Sequence, residues 1–188
     1  MKSEKERFRK IRHDISNILT TAAGFIEIGK PEKALEIIQN ADNDIHLSAN
    51  KEICKNETIN TIYTIKRQQA LKKGIDFIID VKEDAQINIP DYDLCRVLTN
   101  LIDNQINALE NSGSKNFELK IICTANDIII KGSNEYTPSA KNNKNDPNHG
   151  YGQKIISSIA KKYNGSYKSE ISNGKFITST ILENKKLI

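Results

Sequence analysis

The stretch from residue 91 to residue 113 reads DYDLCRVLTNLIDNQINALENSG, and its pattern predicts one long amphipathic helix. Asp91 and Asp93 favour a helix start, and the run from Asn111 to Gly113 favours its end after Glu110. The apolar side chains recur with the helical period and therefore predict a buried face. That face consists of Leu94, Val97, Leu98, Leu101 and Ile102.

Three asparagines recur on another face of the same helix. Asn100, Asn104 and Asn107 stand at i, i+4 and i+7. Because asparagine is a poor helix-interior residue, three of them on one stripe indicate a role other than stability. Amide oxygens suit a Mg²⁺ ion whose remaining positions are filled by water and phosphate. A solvated polar face in an asparagine-rich protein is the alternative, and the residues alone leave both open.

The segments around this helix predict an α+β layer of strands covered by helices from about residue 55 onward. Further helices are predicted at residues 56–73 and 152–163. Residues 133–148 are rich in Asn, Lys, Pro and Ser, which predicts a long exposed loop. The predicted strands are residues 75–81, 117–124, 127–132, 166–172 and 175–182.

The first 50 residues have a different pattern, in which apolar residues alternate in steps of three and four as in a coiled-coil seam. This pattern predicts a helix over residues 3–28, which Gly29 ends, and a second helix that begins at Pro31. Two such helices bury little core, so we expect a second copy to complete a four-helix bundle. The predicted seam comprises Phe8, Ile11, Ile15, Ile18, Ala22 and Phe25, followed by Ala34, Ile38, Ala41, Ile45 and Ser48.

His13 falls at the heptad position farthest from this seam and is therefore expected to face solvent. Asp14 is its neighbour in sequence, and Asn17 lies one turn further on the same face. The carboxylate can hold the Nδ1 proton of the imidazole, which leaves Nε2 free as a nucleophile. A surface histidine beside an aspartate is also ordinary, so these residues alone leave both interpretations open.

The sequence NHGYG, residues 148–152, leads directly into a predicted helix. Gly150 and Gly152 allow the backbone to come close to a ligand, and a helix start favours an anion. A flexible hinge is the alternative interpretation.

Composition excludes several classes of protein. The chain has 28 Lys and Arg against 24 Asp and Glu, which gives a net charge of +4. The positive charges are spread along the chain, so no nucleic-acid partner is predicted. No run of about 18 apolar residues occurs, so no membrane segment is predicted in this chain. The three cysteines are widely spaced, which argues against a disulfide framework and favours a cytoplasmic location.

The order and spacing of these motifs resemble the cytoplasmic core of sensor histidine kinases of the GHKL ATPase superfamily, most closely the peptide-pheromone, agr-type quorum-sensing group. FRKIRHDISNILTTAAGFIEIGKPEKALEII, residues 8–38, is similar to the phosphoacceptor hairpin with its HDxxN motif. DLCRVLTNLIDNQINALE, residues 93–110, is similar to the N box. HGYGQKIISSIAKKYNG, residues 149–165, is similar to the final glycine box, and residues 166–182 are similar to the last hairpin.

The resemblance implies a domain organisation and a role for each motif. Residues 1–52 correspond to a dimeric phosphoacceptor hairpin, and residues 53–188 to a Bergerat-type α/β sandwich that binds ATP with Mg²⁺. In the hairpin, His13 corresponds to the phosphoacceptor, Asp14 to the group that orients it and accepts its proton, and Asn17 to a water-placing residue. In the sandwich, Asn100 and Asn104 correspond to the ligands of Mg²⁺ and the phosphates. Gly150 and Gly152 correspond to residues on the phosphate side, and Asn134 corresponds to the Asn of a degenerate G1 box. Asn107 shares the asparagine stripe and is grouped with the cofactor-binding residues.

The resemblance also implies a reaction, in which ATP phosphorylates His13 and an aspartate of a response-regulator receiver domain then takes the phosphoryl group. Such a core is either part of a membrane-bound kinase or a naturally sensorless protein. The segment KGSNEYT lacks the usual DxG, and Gln105 stands where the N box normally has a small Ala. A histidine phosphotransferase of a phosphorelay, with a degenerate nucleotide site, is therefore the alternative, and a non-catalytic docking protein is a third reading.

Overall fold

The computed structural model describes residues 2–41, 52–110, 113–136 and 151–185. In these residues five helices and five strands occur, and the chain forms two compact units, Met1–Leu47 and Ser48–Ile188. The helices are α1 (Lys2–Glu27), α2 (Pro31–Ala41), α3 (Glu57–Lys72), α4 (Asp91–Glu110) and α5 (Tyr151–Lys162). The strands are β1 (Asp76–Glu83), β2 (Asn116–Cys123), β3 (Asp127–Glu135), β4 (Ser166–Ser172) and β5 (Lys175–Glu183).

The first unit contains α1 and α2, which pack against each other as a helical hairpin. Gly29 has a φ of +71°, a conformation that ends α1 and that a residue with a side chain rarely adopts. Ala22 and Ala34 are each only 2% exposed, as their predicted seam positions require. The predicted seam residues Ile45 and Ser48 lie outside the described residues.

The second unit is an α+β sandwich with one five-stranded sheet in the order β1-β2-β3-β5-β4. The strands β1 and β2 are parallel, and the other three pairings are antiparallel. Buried and exposed side chains alternate along β2 and β3, so one face of the sheet points into the core. The helices of this unit pack against the sheet and against one another.

The core between sheet and helices is apolar and closely packed. The rings of Phe77 and Phe117 stack at 4.5 Å between centroids, and Tyr63 meets Phe77 edge-on at 5.6 Å. The predicted buried face of α4 is confirmed, because its five apolar side chains are at most 1% exposed. Among the described residues, none of the helices combines the length and the apolar character needed to cross a bilayer.

The predicted loop over residues 133–148 is wrong at its beginning. Ser133, Asn134 and Glu135 continue β3, where Ser133 and Asn134 pair with β2 on one side and all three pair with β5 on the other. Pairing with neighbouring strands on both sides, of which β5 is distant in sequence, therefore overrides the low strand propensity of these polar residues. Residues 137–148 lie outside the described residues.

A buried ionic contact joins the beginning of α4 to the end of α5. Asp93 is 4% exposed, and its Oδ2 accepts hydrogen bonds from Lys162 Nζ at 2.6 Å and from the Tyr163 hydroxyl at 2.8 Å. Burial raises the pKa of Asp93, but the hydrogen bonds from Lys162 and Tyr163 outweigh burial, so the pKa lies below its usual value. Burial and the bond to Asp93 raise the pKa of the Tyr163 hydroxyl, which therefore stays a donor at neutral pH.

We expect Asp93→Asn to lower the free energy of unfolding at pH 7 by about 1–3 kcal/mol, because a buried charged acceptor is lost. An aspartate whose pKa is lowered by folding stabilises the protein above its unfolded pKa of about 3.9, and this contribution disappears as the pH falls through the folded pKa. Urea denaturation of both proteins over that range should therefore show a difference that shrinks below about pH 4.

The matched control is Asp80→Asn, which removes an exposed aspartate of β1 that lies 3.7 Å from Lys120. An exposed pair of this kind contributes about 0–1 kcal/mol. Equal losses in the two variants, or a loss in Asp93→Asn that does not depend on pH, would contradict a stabilising role for ionised Asp93.

Candidate functional site

Two asparagines of α4 converge on the first turn of α5. A Cβ atom at Gly152 would lie 2.9 Å from Oδ1 of Asn100 and 3.2 Å from Oδ1 of Asn104. Asn100 and Asn104 lie one helical turn apart on α4, so their side chains point to the same side of the helix. The absence of a side chain at Gly152 is what allows the two carboxamide oxygens to come this close to the α5 backbone.

The carboxamide of Asn100 is oriented by its own helix. Its Nδ2 donates a hydrogen bond to the Arg96 carbonyl at 2.7 Å, which leaves Oδ1 on the Gly152 side. Asn104 Nδ2 is buried and has no hydrogen-bond partner among the described residues. The pair therefore offers two amide oxygens and one unused amide NH2 group, a set that fits a Mg²⁺ ion carrying phosphate oxygens.

The backbone of α5 adds anion-binding capacity to the same place. The first N–H groups of a helix have no intrahelical acceptor, and the helix dipole favours negative charge there. Gly152 is the second residue of α5, and the first turn of this helix contains no acidic residue. The predicted site residue Gly150 lies outside the described residues.

The remaining predicted cofactor-binding residues have other surroundings. Asn107 is exposed on α4 and is not among the groups nearest to Gly152. Asn134 is 6% exposed on β3, where its Nδ2 donates to the Glu135 carbonyl at 2.9 Å. The Oδ1 atom of Asn134 is buried without a hydrogen-bond partner among the described residues. The structure thus brings Asn100, Asn104 and Gly152 together and gives no contact that joins Asn107 or Asn134 to them.

Gln105 is not among the site residues predicted from the sequence. Its side chain is fully buried, and neither Nε2 nor Oε1 has a hydrogen-bond partner among the described residues. A Cβ atom at Gly132 of β3 would lie 3.1 Å from Gln105 Nε2 and 2.8 Å from Thr178 Oγ1 of β5. A signal for Gln105 does exist in the sequence, because the helical period places it on the same face as Leu98, Leu101 and Ile102.

His13 is exposed on α1, as its heptad position predicts, with 71% of its side chain accessible. Asn17 Nδ2 lies 3.2 Å from His13 Nδ1, and Asp14 Oδ1 lies 3.5 Å from the same atom. Thr21 Oγ1 donates to the Asn17 carbonyl at 2.8 Å. Both described polar neighbours of the ring therefore approach Nδ1.

These contacts bear on the tautomer of the His13 ring. With a proton on Nδ1, the Asp14 carboxylate is its acceptor and Nε2 keeps a free lone pair. Asn17 Nδ2 can donate to Nδ1 only in the other tautomer, in which Nδ1 carries no proton. If the Asn17 carboxamide is flipped so that its Oδ1 faces the ring, Oδ1 can accept the Nδ1 proton instead. An ionised Asp14 can only accept, so it favours the tautomer that carries the proton on Nδ1 and the lone pair on Nε2.

Comparison with known proteins gives a family for the second unit. Residues 89–183 match the model of the GHKL domain. The chain is 28% identical over 133 residues to the sensor protein CitS of Halalkalibacterium halodurans, a match that covers 66% of this chain and 24% of that protein. The chain thus spans about a quarter of the length of this curated relative.

Three solved structures share the fold. The catalytic domain of histidine kinase ThkA has a TM-score of 0.53 at 18% identity, covering 74% of this chain and 100% of that chain. Histidine kinase ThkA in complex with response regulator protein TrrA has a TM-score of 0.53 at 16% identity, covering 96% and 61%. Acinetobacter baumannii histidine kinase AdeS has a TM-score of 0.51 at 14% identity, covering 93% and 97%.

The residues that match the family model include α4, α5 and four of the five strands, and they make up just over half of the chain. They therefore contain every residue that converges on Gly152. The chain belongs to the GHKL domain family.

Proposed function

We propose that this chain is the core of a two-component signalling histidine kinase, which phosphorylates its own His13 from ATP and transfers the phosphoryl group to an aspartate of a response-regulator receiver domain. The observation that carries the proposal is the convergence of Asn100 and Asn104 on Gly152 within a GHKL domain. The fold likeness to histidine kinase ThkA, which has been solved in complex with a response regulator protein, supports it. The HDxxN motif and the N box further favour the agr-type group.

In this proposal residues 53–188 bind ATP. Asn100 and Asn104 hold Mg²⁺ through Oδ1, and the unpaired Nδ2 of Asn104 donates to a phosphate oxygen. Gly152 lets the start of α5 approach the phosphates, and Gly150, Asn107 and Asn134 complete the predicted binding residues. When bound at these residues, ATP would supply the γ-phosphoryl group and Mg²⁺ would neutralise its charge, so that catalysis would depend mostly on positioning.

Residues 1–52 supply the phosphoacceptor in this proposal. The Nε2 lone pair of His13 forms a bond to the γ-phosphorus, the bond from that phosphorus to the β–γ bridging oxygen breaks, and ADP leaves with the electron pair. The Nδ1 proton passes to Asp14, which lies 3.5 Å away. Asn17 then helps to place a water for dephosphorylating the partner.

The exposed apolar face of α1 supports a homodimer formed through the hairpin. Ile15, Leu19 and Ile26 are 52%, 58% and 59% exposed in the single chain. They lie along one side of the helix at four- and seven-residue spacings, so a second hairpin can cover all three. We assign such a dimer to the cytoplasm, as the resemblance to kinase cores implies.

A histidine phosphotransferase is the second candidate. The specific observation in its favour is Gln105, whose carboxamide lies against Gly132 at a position where the resemblance implies a small residue. This candidate uses the same His13, but the phosphoryl group comes from a phosphorylated receiver domain instead of ATP.

We expect incubation with Mg²⁺ and γ-labelled ATP to give acid-labile, base-stable label that His13→Gln removes, because the variant lacks the nucleophile. Ser16→Ala is the matched control, since Ser16 is also exposed on α1 and should keep its label. An unlabelled but folded wild-type protein would contradict the kinase. Transfer from a phosphorylated receiver to His13 would then establish the phosphotransferase.

We expect Gly152→Ala to weaken ATP binding by at least about tenfold, because a loss of 1.4 kcal/mol has that effect and the methyl group occupies the space beside Asn100 Oδ1. Alanine is the better helix former by about 1 kcal/mol, so the fold should persist. Gly24→Ala in α1 is the matched control, since a Cβ there has no neighbour within 4 Å. Titration calorimetry measures the affinities, and unchanged binding in Gly152→Ala would contradict a phosphate site at this turn.

We expect Leu19→Glu to weaken dimerisation by more than about tenfold, because burying one leucine contributes about 1.5–3 kcal/mol and each dimer contains two copies. Thr20→Glu adds the same charge at the next exposed position and should leave the dimer intact. Analytical ultracentrifugation over a concentration series distinguishes the two variants. Equal weakening by both substitutions would place the interface elsewhere.

A further inference from the structure

Gln105 is an anomaly inside an apolar layer. It is 0% exposed, and both polar atoms of its carboxamide are buried without a hydrogen-bond partner among the described residues. Its neighbours on the same face of α4, Leu101, Ile102 and Leu109, are all at most 1% exposed. An unpaired buried amide destabilises a protein by about 1–3 kcal/mol per group, whereas an apolar side chain of similar size at this position would not.

The carboxamide of Gln105 lies over two neighbouring strands. Gly132 of β3 and Thr178 of β5 are directly paired in the sheet. A Cβ atom at Gly132 would lie 3.1 Å from Gln105 Nε2 and 2.8 Å from Thr178 Oγ1, so both polar groups border the space above Gly132. The Thr178 hydroxyl donates a long hydrogen bond of 3.5 Å to the Gly132 carbonyl. Further along β5, Thr180 Oγ1 is also buried without a partner among the described residues.

Gln105 directly follows Asn104, one of the proposed phosphate-binding residues, along α4. A step of one residue turns a helix by about 100°, so the two side chains point to different elements. Asn104 lies against Gly152, and Gln105 lies against Gly132. A ligand with a charged end and a polar, planar end matches this arrangement.

We propose that the carboxamide of Gln105 pairs with the edge of the adenine base of bound ATP. This inference rests on the proposed function, since it requires that the phosphates lie at Asn104 and Gly152. A glutamine carboxamide carries one acceptor and two donors on one plane, which complements the 6-amino group and N7 of adenine. Gln105 is thus a specificity-determining residue, and its unpaired atoms are satisfied when nucleotide binds.

Calorimetric titration of the full chain with ATP and with inosine triphosphate tests this inference, because inosine has a carbonyl oxygen in place of the 6-amino group. We expect the wild type to bind ATP more tightly. We expect the affinity of Gln105→Leu for ATP to be lower by about tenfold or more, because losing a hydrogen bond to a buried group lowers affinity by about that factor. The variant should also lose most of the preference for ATP over inosine triphosphate. Gln69→Leu, on an exposed position of α3, is the matched control and should behave as the wild type.

Thermal unfolding without nucleotide provides a readout independent of binding. Gln105→Leu removes two unpaired polar atoms from the core, so its melting temperature should equal or exceed that of the wild type. The increase in melting temperature caused by ATP should be smaller in the variant than in the wild type. Gln105→Met replaces Gln105→Leu in all measurements if the leucine variant does not fold.

The remaining outcomes overturn the inference in distinguishable ways. Unchanged affinity and preference in Gln105→Leu, or equal wild-type affinity for the two nucleotides, overturns the base contact and leaves the proposed kinase intact. ATP binding that appears only in Gln105→Leu shows that Gln105 blocks the site, which overturns the inference and favours the phosphotransferase. A folded wild type and variant that both fail to bind ATP overturn the nucleotide site and the inference together.

Discussion

The burial of one face of α4 against the sheet is the constraint on which the candidate site depends. Leu94, Leu98 and Leu101 are at most 1% exposed, so α4 cannot rotate about its axis without exposing part of the core. With the rotation fixed, the directions of Asn100 and Asn104 are fixed as well. The hydrogen bonds from Lys162 and Tyr163 to Asp93 join the beginning of α4 to the end of α5. Two packed helices, instead of a loop, therefore determine the positions of the groups around Gly152.

Two glycines lie where α4 approaches another element. Because a glycine has no side chain, polar groups of α4 can come close to the backbone at these two positions. Gly152 admits the carboxamide oxygens of the asparagines, and Gly132 admits the carboxamide of Gln105. Consecutive residues of one helix can therefore serve two different parts of a ligand. A side chain at either glycine would crowd the polar groups beside it, and at Gly132 it would also approach Cδ1 of the core residue Leu119 to 3.4 Å.

Periodicity was sufficient to predict most helices and strands, because each buries one regular face in this fold. It failed at Ser133–Glu135, where Ser133 and Asn134 pair with the preceding strand β2 and all three residues pair with β5, which is distant along the chain. The helical period alone predicts that Asn100 and Asn104 share a side. The approach of Gly152 to them came only from the resemblance to a family, and the contact of Gln105 with Gly132 required the tertiary structure, since no local pattern encodes a contact between α4 and β3.

His13 and the polar side chains of the proposed nucleotide site have opposite environments, and the proposed reaction requires both environments. His13 is largely exposed and has contacts at Nδ1, which keeps Nε2 accessible to more than one phosphoryl donor or acceptor. The Nδ2 atom of Asn104 and both polar atoms of Gln105 are buried, where water competes less for hydrogen bonds and electrostatic interactions are stronger. A nucleophile that must meet two partners cannot be buried, whereas a site that must discriminate one nucleotide gains from burial. In this proposal the exposed helix and the dry sandwich therefore have to be separate parts of the chain.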